Sequence, residues 1–110
     1  MSELTDESRK LNWLIMSSDE YKDYLAALDR LKENTELCSE LQHFRDKYRD
    51  VLRYGEGNPY DELLKLYYDH DRLLHNAIVS EYLEAESTFT RLIKRVISDI
   101  TEGLRIDIPE

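Results

Sequence analysis

Residues 76–103 constrain the fold of this chain more than any other stretch. Apolar side chains recur at Ile78, Tyr82, Ala85, Phe89, Leu92 and Val96, in steps of four and three, the period of one helix face. A second set, Val79, Leu83, Ile93, Ile97, Ile100 and Leu104, lies beside the first and widens it. One apolar stripe is enough for a helix at the edge of a small protein. Two adjacent stripes imply contact with the rest of the chain on one side and with something else on the other. They point to a protein that works by interaction, and no catalytic motif competes with that reading.

The remaining sequence predicts three more helices, about 5–16, 19–53 and 59–75, with the last at about 77–103. Asp6 and Glu7 lie near the positive end of the first. Ser17 and Glu20 have the spacing of a capping box, so a sharp break is expected before the second. The second helix carries a seam from Tyr21, Tyr24, Leu25, Leu28 and Leu31 to Leu37, Cys38, Leu41, Phe44, Tyr48, Val51 and Leu52, mostly in steps of three and four. Lys32 to Glu36 interrupts it, and a continuous helix is expected across the interruption. Gly55-Glu56-Gly57-Asn58-Pro59 is the clearest turn, with Asn58 as N-cap and Pro59 as first helical residue of the third helix. Asn76 can cap the last helix; with no proline or glycine between them, one helix kinked at Asn76 is the alternative for the third and fourth. The tail from Arg105 is expected extended or disordered. The expected fold is all-α: a short N-terminal helix, a long helix, then two helices packed as an antiparallel hairpin or bundle, in one domain over residues 1–110, as a dimer.

Composition narrows the function. At 110 residues the core is thin, and association would relieve that. The net charge of −9 argues against direct binding to nucleic acid or to an anionic membrane surface, and suits docking onto a basic patch of another protein. The single Cys38 excludes an intrachain disulfide and fits a reducing cytoplasm. The N-terminus is acidic and no apolar run approaches the roughly 20 residues of a membrane span, so a cytoplasmic location is expected.

Candidate chemistry is sparse. Glu40 and His43 form one Glu-x-x-His pair, where di-iron bundles use two. His70 and His75, five residues apart, point in different directions on a helix. No serine sits in a glycine-flanked elbow and there is no phosphate-binding loop. Arg45, Lys47, Arg49 and Arg53 complement a helix C-terminus or meet an acidic partner, and Arg91, Lys94 and Arg95 carry the same two readings. The eight tyrosines suit positions buried at one end and wet at the other; most are expected at core edges, with Tyr54, Tyr68 and Trp13 as the candidate partner contacts.

The order of elements, Ser18-Asp-Glu-Tyr21-Lys-Asp-Tyr24 opening the long helix and Asn76-Ala-Ile-Val-Ser-Glu-Tyr82-Leu83-Glu-Ala85-Glu86 opening the last, resembles the YlbF/YmcA family of small helical bacterial proteins across nearly the whole chain. The family usually has Asn-Pro where this chain has Asn76-Ala77. The resemblance implies a cytoplasmic, all-α protein that pairs with itself or with relatives. Some relatives form a complex that influences the endoribonuclease RNase Y, and through it mRNA maturation, competence, sporulation and biofilm formation. Relatives in that complex carry cysteines linked to iron–sulfur clusters; with Cys38 alone, no cluster or other cofactor is expected here. No catalytic residues carry over.

The expected function is therefore that of a non-enzymatic regulatory adaptor, pairing through Tyr82, Phe89, Ile93, Val96, Ile97 and Ile100 with a copy of itself or a relative. A ribonuclease partner is implied by the resemblance. The alternatives are a structural coiled-coil or chaperone-like protein, and a carboxylate–histidine metalloprotein built on Glu36, Glu40 and His43.

Overall fold

A computed structural model describes residues 2–105, and among them every regular element is helical. The helices are α1 (Glu3–Met16), α2 (Asp19–Glu33), α3 (Thr35–Tyr54), α4 (Pro59–Asp69), α5 (Asp71–Leu74) and α6 (Ala77–Thr101). The sequence-based tail assignment falls mainly on residues 106–110, outside the described residues.

The long second helix is not continuous. It breaks at Asn34, which leaves the helical region (φ −109°, ψ 91°) and caps α3 by accepting a hydrogen bond from the Leu37 N–H at 3.1 Å. Helix phase gives the physical reason. At about 100° per residue, Leu31 and Phe44 of a straight helix would point roughly 140° apart, so one core could not receive both. The break lets Ala27 and Leu31 of α2 and Leu41 and Phe44 of α3 enter a single cluster.

Other boundaries shift for local reasons. Ser18, not Ser17, caps α2, its hydroxyl accepting from the Tyr21 N–H. The predicted third helix ends at Asp69; His70 separates it from the single turn of α5. Asn76 does start α6, its side chain accepting from the N–H groups of Ile78 and Val79 at 2.9 and 3.3 Å, which settles two separate helices over one kinked helix. In the turn before α4, a Cβ on Gly55 would fall 2.5 Å from the Val51 carbonyl oxygen in the last turn of α3 and against the Glu62 carboxylate, so the tight exit of the chain from α3 requires glycine.

The pairing of helices also corrects the expectation of a hairpin between the last two. α6 packs chiefly on α2, and α4 on α3. α2 and α6 run antiparallel: Arg30 meets Glu81, Tyr24 meets Tyr82, and Tyr21 meets Phe89. Two arms thus leave a common vertex, one made of α2 and α6, the other of α3 and α4. The buried cluster at the vertex joins Leu31, Leu41, Leu73, Val79 and Tyr82, with Val79 fully enclosed. The molecule is flat and open, 51 × 39 × 18 Å, with a radius of gyration of 18.3 Å. A compact domain of this length would have about 13 Å.

Candidate protein-interaction surfaces

The six residues that the periodicity singled out on α6 divide along the helix. Tyr82 and Phe89 lie in the proximal half and pack within the chain. Their rings join those of Tyr21 and Tyr24 in a ladder with centroid separations of 5.1 Å (Tyr21–Phe89), 5.4 Å (Tyr24–Phe89) and 5.9 Å (Tyr24–Tyr82). Such pairs add to the stability gained from burial alone. Ile93 and Val96 are half-buried, whereas Ile97 and Ile100 are 52% and 60% exposed. The division follows from helix lengths. Phe89 already lies against Tyr21 near the start of α2, and α6 continues twelve residues further, to Thr101. The sequence period is the same in both halves, so it could not separate core from open face.

A strut crosses between the arms near the vertex. Arg45 on α3 pairs with Glu86 on α6 at 2.5 Å, its guanidinium carbon stands 5.6 Å from the centre of the Tyr82 ring, and the Tyr82 hydroxyl donates to the other Glu86 oxygen at 2.7 Å. Partial burial pushes the Glu86 carboxyl up, but the hydrogen bonds from Arg45 and Tyr82 and the charge of Arg45 outweigh it and hold the carboxyl below its ordinary range. Burial opposes the charge on Arg45, and the pairing with Glu86 more than restores it. Burial, reinforced by the hydrogen bond to Glu86, pushes the Tyr82 phenol far up. Arg45 is therefore committed inside the chain rather than offered to an acidic partner. Its neighbour Arg49 pairs locally with Asp46 at 3.3 Å.

The second arm carries a surface that the sequence reading merged with the core side of the helix, since it put Tyr60, Leu63, Leu64 and Tyr67 on one apolar face. On α4, Leu63, Leu66 and His70 at its C-terminus face the chain, while Tyr60, Leu64, Tyr67 and Tyr68 form an i, i+4, i+7, i+8 stripe on the outside. Tyr60 is 68% and Tyr68 82% exposed. Glu56, Asp61 and Asp69 lie along the same segment. Tyr67 is partly covered: its ring lies 5.7 Å from Phe44 and 6.3 Å from Tyr48, and burial, then Tyr48, pushes its phenol up. Counting the i, i+4, i+7, i+8 pattern separately from the core pattern Leu63–Leu66–His70 is the signal that would have found this stripe. Trp13 and Leu14 on α1 are also exposed.

The polar candidates fall on different helices, and two of the three histidine rings are engaged with backbone carbonyls. His43 and Glu40 line a shallow groove of about 360 Å³ with Asp69 and His70. The His70 ring is occupied, its Nδ1 2.8 Å from the Leu66 carbonyl oxygen and its face edge-on to Phe44. His75 Nδ1 lies 2.9 Å from the Asp71 carbonyl oxygen. Among the described residues no group of three or more His, Cys, Asp or Glu is placed to hold a metal ion. A second groove, between α2 and α6, is floored by Ala26, Ala27 and Ala85 and rimmed by Glu20, Asp23, Glu81 and Glu84 with Arg30. No described helix is long and apolar enough to cross a membrane.

Neither the curated proteins nor the solved structures yielded a match. The family model described as "Control of competence regulator ComK, YlbF/YmcA" matches residues 4–105, almost the full chain. This all-helical chain belongs to the YlbF/YmcA family of regulators.

Proposed function

We propose that the protein is a non-enzymatic regulatory adaptor of the cytoplasm, built as one helical domain that presents two unpartnered apolar faces. The distal half of α6, with Ile93, Val96, Ile97 and Ile100, pairs with a second copy or a relative. The acidic, tyrosine-bearing face of α4, with Tyr60, Leu64 and Tyr68, engages a target, for which RNase Y is the candidate that the family resemblance supplies. The observation that carries this reading is the exposure of Tyr60, Leu64 and Tyr68 on α4 and of Ile97 and Ile100 on α6. Contiguous apolar stripes rimmed by polar residues mark interaction surfaces. The membership in a competence-control family supports the regulatory part.

The test is genetic and biochemical together. In a host lacking the native gene, the wild-type chain restores competence and co-purifies RNase Y, whereas the triple variant Tyr60→Ser, Leu64→Ser, Tyr68→Ser folds normally by circular dichroism but does neither. A triple variant with full activity would remove the α4 face from the reading.

A further inference from the structure

We infer that the groove between α2 and α6 is a docking site for a basic helix of another protein. It lies apart from the α4 stripe and from the distal half of α6, and it needs neither of them. The groove is a cleft of about 360 Å³ lined by α2 and α6 alone. Its floor is Ala26 and Ala27 on one side and Ala85 on the other. Packed helix axes lie about 8–10 Å apart, closest where the side chains between them are small, so an alanine floor admits a third helix along the pair. The molecule is only 18 Å deep in its thin direction, and no residue of another described helix lines the cleft.

Charge decides what fits. The rim sets Glu20 and Asp23 of α2 and Glu81 and Glu84 of α6 against one cation, Arg30. Arg30 is committed to Glu81 at 2.6 Å, and that pair closes the end of the cleft nearer the vertex. Glu20, Asp23 and Glu84 form no side-chain hydrogen bond or ion pair among the described residues. Three unneutralised carboxylates around an apolar floor repel one another, and a cationic partner relieves that repulsion. The chain already makes such a contact once, where Arg45 of α3 meets Glu86 of α6. The positions also set a pattern. Glu20 and Asp23 lie one turn apart on the α2 wall, about 4.5 Å along the axis. With Arg30 opposite Glu81 in the antiparallel pair, Glu84 stands at the level of Ala27, about 6 Å beyond Asp23. The matching helix carries two cations one turn apart on one flank and a third on the other flank, with small residues between.

The test uses the full chain and a labelled lysine–alanine helical peptide in which lysines of this pattern flank an alanine stripe, read by fluorescence anisotropy at about 0.15 M salt. A Kd of roughly 10–100 µM is expected. Ala26→Phe, which fills the cleft at an exposed position without changing charge, weakens binding at least about tenfold. The triple variant Glu20→Gln, Asp23→Asn, Glu84→Gln does the same, whereas Glu3→Gln, Glu33→Gln, Glu56→Gln, which removes equal charge elsewhere, costs no more than about threefold. All three proteins are checked for native helicity by circular dichroism, and none is altered on α4 or the distal half of α6. Equal losses in the two triple variants, an unaffected Ala26→Phe, or no binding of the peptide overturns the site. Spermidine that binds as tightly as the peptide, and is lost in the same variants, overturns the helix as occupant and assigns the cleft to a free polyamine.

Discussion

The two arms use the same kind of amphipathic helix to different ends. In the α2–α6 arm, tyrosines and a phenylalanine close on one another from both helices, and Tyr82 is 6% exposed. In the α3–α4 arm, Phe44 and Leu66 form a narrow buried line, and the tyrosines of α4 stand largely outside it. Both arms therefore have an inner face, but only the second has an aromatic outer face along its whole helix. In the α2–α6 arm the most exposed apolar residues, Ile97 and Ile100, lie where α6 outruns α2. The difference teaches that an aromatic stripe at helical spacing does not by itself say core or surface; the length and position of the opposing helix decide.

The comparison can be broken most forcefully at Tyr82. Tyr82→Ala removes a ring of the ladder and the hydrogen bond to Glu86, and is expected to lower stability by about 3–5 kcal/mol in urea denaturation. A loss below about 1 kcal/mol would mean that the ladder contributes no more than a surface contact. Leu66→Ala should cost about 2–3 kcal/mol, at the low end for a buried leucine because its arm can collapse around the gap. Hydrogen exchange should then accelerate in α3 and α4 ahead of α2 and α6; uniform acceleration would show that the arms do not differ in local stability.

The strut sharpens the comparison through pH. Because the folded Glu86 carboxyl is held below its ordinary value of 4.5, its contribution is fully present above that value and is lost as pH falls through the lower, folded pKa. Wild-type stability should therefore drop on acidification below about pH 4.5 more steeply than that of Glu86→Gln. Parallel curves for the two proteins would remove Glu86 from the acid response. The smallest effect belongs to the outer stripe: Tyr68→Ser should change stability by less than about 0.5 kcal/mol, as surface substitutions do. A larger loss would show Tyr68 to be part of the core.

These contrasts explain what the sequence disclosed. All-α architecture, the Gly55–Pro59 turn and the Asn76 cap were legible because each has a local chemical cause: helical period, glycine and proline at the turn, a side-chain acceptor for free N–H groups. The break at Asn34 was visible as an interruption from Lys32 to Glu36, but steps of three and four on either side hid the phase error that makes a straight helix unworkable. Which helices pair was not legible, since α4 on α3 and α6 on α2 depends on where that bend sends the chain. The pairing of Arg45 with Glu86 spans 41 residues and has no local signature. On α6, Tyr82 and Ile97 belong to the same kind of apolar pattern, yet one is buried and the other open.

The bend at Asn34 has a consequence for signalling between the two ends of the molecule. α6 packs on α2 and α4 on α3, so the bend at this residue, together with α5 and the buried vertex that also join the arms, sets how the two outer stripes face each other. The angle between the arms is then a single variable shared by both surfaces, and the Arg45–Glu86 strut sets its resting value. A ligand on one stripe that prefers a different angle changes the affinity at the other, and the coupling is reciprocal.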